Sequence, residues 1–342
     1  MDLIKQLPAV KQNEPMSQHT TFAVGGPAEY FYAAKTTDDL VKAVTVARDL
    51  KIPFIVLGNG SNILVSDQGI KGLVIKNQTD NINVLQSTDQ SSPSSKSKIK
   101  PRYQALDKTD DITNLEYDES KYESVMVELD SGIFLPKAIF SLINQGITGL
   151  EWFAGIPATV GGATYINLHG GNKYFSDYLI SAKILDSNNQ IKTVPAEYFD
   201  FKYDDSKLKD KADIVLSVTL RLLKGPQDKA LNIAKAWALK KSHQPQKSAG
   251  CIFQNLSAAE QEKLNLPTPS IGYLMDKQLN LKATKINNAQ ISTQHAGFVE
   301  NLGNAKAADI IALIGLMRKT AKQKLNLDLK LEIVPLGFDK EV

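Results

Sequence analysis

The chain has 342 residues, of which 42% are hydrophobic and 23% are charged, with a formal net charge of +3. These values fit an ordinary globular protein of two or three domains, and the slight, scattered positive charge argues against a nucleic-acid partner. A single cysteine, Cys251, excludes an internal disulfide and predicts a reducing, cytoplasmic environment. No apolar run reaches the roughly 18 residues of a membrane span, and the four histidines lack metal-site spacing, so neither a membrane nor a metal is expected.

The first predicted unit, residues 1–78, has α+β character. A short helical or irregular lead-in over residues 1–16 precedes a strand over residues 29–33. Thr36 and Asp39 have the spacing of a capping box, and the apolar stripe behind them predicts a helix that ends before Pro53. Two buried strands, over residues 52–57 and 72–75, then flank a glycine-rich loop.

This loop, residues 57–69, is the first candidate binding element. Its first part contains two glycines, Gly58 and Gly60, among polar residues, and successive backbone N–H groups in such a turn can bind an anion. An ordinary polar turn explains the loop about equally well when it is taken alone. No helix pattern follows, so it is not the G-x-G-x-x-G dinucleotide fingerprint.

A second stretch rich in small residues, 149–163, changes this balance. Thr159 offers a hydroxyl group, and residues 160–163 offer backbone N–H groups at a turn. Two phosphate-friendly loops predict one elongated ligand, such as a dinucleotide, that is held from two sides.

The second predicted unit, residues 79–225, contains a polar and acidic insertion at about residues 84–118, which is expected to carry no chemistry. After it we predict a strand over residues 125–130, a helix over 135–145, a hairpin formed by 179–185 and 191–194, and a strand over 214–222.

The third predicted unit, residues 226–342, is again α+β. Helices are predicted over residues 227–242, after the cap at Ser270, and over about 304–324. Short strands are predicted over residues 289–292 and 296–299, and a final strand over 327–336.

Four motifs in this order resemble one enzyme family. They begin at Thr20 (TTFxxGGPA), Leu57 (LGxGSNxLVxDxG), Gly149 (GLExxAGIPxTVGGA) and Ser248 (SAGxxFxN). All four resemble UDP-N-acetylenolpyruvoylglucosamine reductase, from about residue 20 to residue 337, and the spacing in the third unit is similar to the shorter subtype that lacks an extra substrate loop.

The resemblance implies a two-part FAD-binding region of the vanillyl-alcohol-oxidase type, followed by an α+β domain that binds a UDP-sugar. NADPH would reduce the flavin, and an enolpyruvyl ether of the UDP-sugar would be reduced to UDP-N-acetylmuramate in peptidoglycan synthesis. The expected small-molecule partners are this substrate and NADPH, and the expected state is a monomer. The cofactor contacts implied are Gly58, Asn59, Gly60, Ser61, Asn62, Gly155, Ile156, Thr159, Gly161, Gly162 and Ala163.

The resemblance also implies catalytic residues. Cys251 stands where the family usually has a proton-donating serine, and a thiol is the stronger acid. A small buried apolar role for this cysteine is the alternative. Glu332 matches the family's catalytic glutamate, although alternation alone would place it on a solvated strand face with Asp328 and Lys330. The substrate contacts implied are Asn255, Lys240, Lys241, Gln290 and Tyr203, and for either lysine a solvated helix face is the alternative.

The chain departs from the family motifs at two places that bear on whether it is fully active. Asp204 stands where the family has an enolate-stabilising arginine. Residues 167–172, NLHGGN, differ from the sequence that is usual in the family at this place. An ionised carboxylate cannot donate a hydrogen bond, so Lys202, Lys207 or His169 would have to substitute. Two alternatives therefore stay open: an FAD-dependent oxidase or dehydrogenase acting on another sugar, and a flavin- or nucleotide-sugar-binding protein without turnover.

Overall fold

The computed structural model describes residues 3–85 and 117–339, which form seventeen strands and eight helices. The strands are β1 Lys11–Pro15, β2 Pro27–Ala34, β3 Phe54–Leu57, β4 Ile63–Val65, β5 Ile70–Asn77, β6 Ile82–Leu85, β7 Ser124–Asp130, β8 Ile147–Thr148, β9 His169–Gly170, β10 Lys173–Tyr174, β11 Leu179–Leu185, β12 Ile191–Pro195, β13 Ile214–Lys224, β14 Lys285–Ile286, β15 Ala289–Ile291, β16 Val299–Asn301 and β17 Val334–Leu336. The helices are α1 Leu3–Gln6, α2 Thr37–Asp49, α3 Leu135–Asn144, α4 Val160–Ile166, α5 Gln227–Ser242, α6 Ala258–Lys263, α7 Ile271–Tyr273 and α8 Ala307–Leu325.

The first sheet has the order β1-β2-β5-β3. β1 is antiparallel to β2, whereas β2, β5 and β3 run parallel to one another. The central strand β5 is buried on both faces: Leu73 and Ile75 face helix α2, and Val74 faces a second cluster. Helix α2 begins at the predicted capping box, in which Thr36 and Asp39 exchange both hydrogen bonds.

The second sheet has the order β12-β11-β13-β7-β6 and is antiparallel, with β8 added to β13. Its core includes the buried rings of Phe153, Phe175 and Trp237. Helix α5 buries its apolar face in this same core, although the predicted division assigns it to the third unit. The boundaries at residues 78 and 225 stay predictions, and the packing of α5 favours a boundary after this helix.

The third unit combines the small sheet β14-β15-β16 with the long helix α8. Phe22 and Leu64 from the first unit are buried in its core, so the two units share apolar packing. Strand β17 leaves this unit and pairs in parallel with β4, which places Val334 opposite Ile63. The third unit therefore returns to the first unit within the glycine-rich loop 57–69.

Two predicted segments differ from the structure. The lead-in contains strand β1, an exposed edge strand whose polar sequence carries no apolar alternation. The predicted strand over residues 327–336 is reduced to β17, because Leu331 forms only an isolated bridge with Phe253 and the Glu332 N–H group donates to the Ile252 carbonyl. The strand alternation that would place Glu332 on a solvated face with Asp328 and Lys330 is therefore absent, and that prediction was wrong.

Smaller differences affect element ends. The predicted strand over residues 296–299 is found as β16, shifted by a few residues. Ser270 caps a helix as predicted, and that helix continues past α7 as a π-helical turn, Leu274–Gln278.

The predicted insertion, about residues 84–118, lies outside the described residues except at its margins. At one margin the Tyr117 hydroxyl donates to buried Glu151 at 2.5 Å, so Tyr117 belongs to the folded core.

Among the described helices, none combines the length and apolarity needed to cross a bilayer. In the same part of the chain, no three His, Cys, Asp or Glu side chains are grouped to hold a metal ion.

Asp67, near the end of the glycine-rich loop 57–69, holds the start of the longest helix. Its two carboxylate oxygens accept hydrogen bonds from the N–H groups of Ala307 and Ala308, at 2.9 and 3.0 Å. These N–H groups have no partner inside α8, and a carboxylate at a helix N-terminus is also favoured by the helix dipole.

We expect Asp67→Ala to lower the free energy of unfolding by about 1 kcal/mol, the usual contribution of a capping side chain. Urea unfolding followed by circular dichroism measures this change. The matched control is Gln68→Ala, which alters the exposed neighbouring side chain and should leave the midpoint unchanged. Equal midpoints for both variants would show that the cap contributes no stability.

Candidate active site

The loop after β3 exposes a row of unused backbone donors. In the described part of the chain, no hydrogen bond uses the N–H groups of Asn59, Gly60, Ser61 or Asn62. Gly60 has φ +71°, and a Cβ atom at this position would lie 2.1 Å from the His19 carbonyl oxygen, so only glycine fits. Four consecutive free N–H groups in a tight turn can bind an anion such as a diphosphate.

The second glycine-rich stretch is built differently. Its N–H groups at Val160, Gly161 and Ala163 donate to the carbonyls of Ile133, Ser131 and Thr159, and the Gly162 N–H group donates to the Thr159 hydroxyl. The expectation that these N–H groups are available to a phosphate was therefore wrong. This stretch stays a predicted cofactor contact because its small side chains allow a ligand to lie close to the backbone.

The two stretches touch each other directly. The Asn59 side-chain amide donates to the Pro157 carbonyl at 2.8 Å, and a Cβ atom on Gly58 would lie 2.4 Å from the Thr159 hydroxyl. The predicted cofactor contacts at 58–62 and 155–163 consequently line one region of the surface. The individual contacts remain predictions.

Lys76 is a positively charged residue that sequence reasoning missed. Its ammonium group donates to the Gly58 carbonyl at 2.5 Å, and burial lowers its pKa to about 8. The signal in the sequence was a lysine at the end of the buried run 73–75, where the adjoining strand of a sheet leads into the loop. Lys76 places a positive charge directly beneath the candidate anion site.

Cys251 and Glu332 are brought together by backbone pairing. Cys251 forms a bridge with Phe298 after Gly250, which has φ +81°, and the Glu332 N–H group donates to the carbonyl of Ile252. The Asn62 side chain donates to the Glu332 carbonyl at 3.1 Å. The anion loop and the two predicted catalytic residues therefore lie side by side.

Lys241 completes this group, and the three side chains perturb one another. Burial and the nearby charge of Asp204 raise the pKa of the Glu332 carboxyl group well above its usual value. Burial and the charge of Glu332 raise the pKa of the Cys251 thiol, while Lys241 opposes that rise. Burial lowers the pKa of Lys241, and its attraction to Cys251 and Glu332 acts in the opposite direction. The arrangement therefore favours the protonated forms of the Cys251 thiol and of the Glu332 carboxyl group.

The predicted substrate residues divide into two sets. Tyr203 and Asn255 lie in the group, since the Asn255 amide contacts the Tyr203 hydroxyl at 3.4 Å and burial, Asp204 and Glu332 raise the pKa of Tyr203. Of the two lysines, Lys241 faces Cys251, whereas the ammonium group of exposed Lys240 lies over the Trp237 ring. The Gln290 side-chain amide donates to the Ala283 carbonyl, close to its own strand β15. No described contact joins Gln290 to the group of Cys251, Glu332 and Lys241.

The fold and the site together define a flavin-binding oxidoreductase. Residues 28–93 match the family model of the FAD binding domain, and residues 242–336 match the C-terminal domain of UDP-N-acetylenolpyruvoylglucosamine reductase. The architecture is α+β, with an FAD-binding region followed by the C-terminal domain.

Similar proteins extend this match to nearly the whole chain. UDP-N-acetylenolpyruvoylglucosamine reductase of Lactobacillus helveticus is 31% identical over 99% of both chains, and that of Agathobacter rectalis is 32% identical over 97% of this chain and 96% of its own. The crystal structure of the reductase from Thermus caldophilus, 27% identical, covers 94% of this chain and 97% of its own at a TM-score of 0.68. The chain belongs to the UDP-N-acetylenolpyruvoylglucosamine reductase family.

The lowered pKa of Lys76 predicts a pH dependence of FAD binding. A diphosphate beside the loop favours the ammonium form, which is already present below about pH 8. Above this pH the bound state must take up a proton, so the affinity should fall with rising pH, by up to about tenfold per unit. Titration of the flavin-free protein with FAD between pH 7 and 9.5 measures this slope.

The matched variants are Lys76→Met and, on the exposed side of the same strand, Lys71→Met. Lys76→Met should bind FAD more weakly at pH 7 and show no slope, whereas Lys71→Met should follow the unaltered protein. An unchanged slope in Lys76→Met would remove Lys76 from the cofactor site.

Proposed function

We propose that this protein reduces UDP-N-acetylenolpyruvoylglucosamine to UDP-N-acetylmuramate with electrons from NADPH, in peptidoglycan precursor synthesis. The observation that carries the proposal is the placement of Cys251, Glu332 and Lys241 directly beside the loop of free N–H groups at 59–62. A hydride donor and a proton donor can thus reach one small substrate from adjoining surfaces. We further propose that it acts as a monomer in the cytoplasm.

The cofactor site fits FAD on structural grounds, because the free donors of the loop and the ammonium group of Lys76 match a diphosphate. FAD reduced by NADPH supplies the hydride that adds to the β-carbon of the enolpyruvyl group. The chain itself must then stabilise the electron pair that moves toward the α-carbon and the carboxylate, and must supply one proton.

Cys251 is the proposed proton donor. Its raised pKa keeps the thiol protonated at neutral pH, so the S–H proton is present when the α-carbon becomes basic. The S–H bond breaks as the C–H bond forms, and the sulfur keeps the electron pair as a thiolate. Lys241 lies where its positive charge stabilises that thiolate until solvent returns the proton.

Glu332 is proposed to act beside it as a protonated carboxyl group. Burial and the charge of Asp204 raise its pKa and favour the protonated form, whose O–H group can donate a hydrogen bond to the charge that develops on the substrate carboxylate. Tyr203 and Asn255 would hold the sugar nucleotide in this position.

Asp204 favours a second candidate function, a flavin- and nucleotide-sugar-binding protein without turnover. Its carboxylate stands at the position of the family's arginine and faces the same group of acidic residues. Under this alternative, NADPH would bleach the flavin of the purified protein, and the enolpyruvyl substrate would not restore its colour.

The proton donor is tested by separating the two half-reactions in stopped-flow experiments. In Cys251→Ala, NADPH should reduce the flavin at the normal rate, because this step needs no proton on the substrate. Reoxidation by the enolpyruvyl substrate should slow by about a hundredfold or more, the usual contribution of a positioned general acid.

Cys251→Ser is the matched control and should retain substantial reoxidation, because its hydroxyl group can also donate a proton. Normal reoxidation in Cys251→Ala would leave Cys251 as a packing residue. Failure of the unaltered protein to reoxidise would instead select the non-catalytic alternative.

A further inference from the structure

Two positions at which the chain departs from the family motifs contact each other. The His169 ring nitrogen Nδ1 lies 3.1 Å from Asp204 Oδ1. Asp204 is 6% exposed, whereas the His169 side chain is 30% exposed and can reach a ligand. The second carboxylate oxygen of Asp204 is buried and accepts no hydrogen bond from the described residues. Within that part of the chain, His169 is thus the side chain that contacts this buried carboxylate.

The pair is held by two chain segments that run alongside each other. Ser206 donates to the Tyr165 carbonyl at 2.6 Å, and the Asn167 amide donates to the Lys202 carbonyl at 3.0 Å, so both bonds join the segments that carry His169 and Asp204. Asp204 itself has φ +50°, a left-handed conformation that aspartate tolerates better than most residues, and it turns the chain so that its side chain faces His169.

The pair borders the catalytic group. The His169 ring stacks on the Tyr203 ring, with centroids 5.2 Å apart and planes 29° apart, and the Tyr203 hydroxyl meets Asn255. Asp204 lies near enough to Glu332 and Cys251 for its charge to raise the pKa of both groups. His169 therefore lies on the Tyr203 side of the same site.

Three residues, Lys202, Lys207 and His169, could substitute for the arginine that the family has at position 204, and they lie in different surroundings. Lys202 is exposed and pairs with Asp200 at 3.5 Å, and Lys207 is exposed on a short 3₁₀ helix. His169 alone of the three contacts Asp204. A further lysine, Lys209, donates to the Asp204 main-chain carbonyl at 2.5 Å and pairs with Asp205, so it does not contact the Asp204 carboxylate in the way that His169 does.

We propose that His169, oriented by Asp204, binds the carboxylate of the enolpyruvyl substrate through its Nε2–H group. Asp204 accepts the Nδ1–H hydrogen bond, which fixes the ring and leaves Nε2 for the ligand. A protonated imidazole donates from both nitrogens, so it can hold Asp204 and a substrate carboxylate together. Asp204 is then a positioning residue, and the arginine charge is supplied from a different chain segment. This inference rests on the proposed function.

The test compares two ligands that differ in the carboxylate. UDP-N-acetylenolpyruvoylglucosamine carries it, and UDP-N-acetylglucosamine lacks the whole enolpyruvyl group. Calorimetric titration of the oxidised, FAD-loaded protein gives the Kd of each ligand without turnover. In His169→Gln, the Kd of the enolpyruvyl ligand should rise by about 10-fold to 100-fold, the range for a hydrogen bond to a charged group, and the Kd of UDP-N-acetylglucosamine should stay within about twofold.

Asp204→Asn should cause a smaller loss with the same ligand selectivity, because the asparagine oxygen can still accept from Nδ1–H but no longer carries the negative charge that favours the doubly protonated ring. The double variant should lose no more than His169→Gln alone, as expected for two residues acting through one contact. His243→Gln, an exposed histidine bonded to the Leu239 carbonyl of α5, is the matched control and should bind both ligands normally.

Two results in His169→Gln would overturn the inference: unchanged affinity for both ligands, or an equal loss for both. Reduction of the flavin by NADPH at the normal rate in each variant shows that the cofactor site is intact. If the unaltered protein shows no preference for the enolpyruvyl ligand and does not reoxidise with it, the proposed function fails, and the inference fails with it.

Discussion

The parallel pairing of Ile63–Val65 with Val334–Leu336 is the constraint on which the active site depends. It joins the segment after the anion loop to the segment after Glu332, and the side chain of Asn62 reinforces the junction by donating to the Glu332 carbonyl. These residues are some 270 positions apart in sequence, and the closure of so long a loop costs entropy that only a well-packed interface offsets. Phe22 and Leu64 provide that packing, because both are buried in the core of the third unit.

Local chemistry made much of the fold predictable. The capping box at Thr36 and the apolar stripe behind it gave α2, and helical spacing gave α5 with the bounds that the structure shows. Edge strand β1 was missed because its side chains are polar on both faces. The final strand was overpredicted because residues 327–333 alternate like a strand, while their backbone partners come from the distant segment at 252–254.

The site shows the same division between local and long-range information. Motif glycines pointed to the anion loop, and its free N–H groups agree with that interpretation. The donors at Val160 and Gly161 were misjudged because their acceptors, Ile133 and Ser131, lie in a different segment. The choice between Lys240 and Lys241 was equally inaccessible, since it depends on which of two adjacent side chains turns toward Cys251. The environment of Asp204 could not be read from sequence either, because its partner lies 35 residues away.

The cap that Asp67 provides has a thermodynamic consequence. The same short stretch, 57–69, presents the free N–H groups, pairs with β17 and holds the start of α8. A ligand that binds only the folded state adds to its apparent stability in proportion to the logarithm of its concentration. Because this stretch is shared, cofactor occupancy is linked to the integrity of the C-terminal domain as well as to that of the flavin-binding region. Loss of FAD would therefore loosen the surface on which the sugar nucleotide binds.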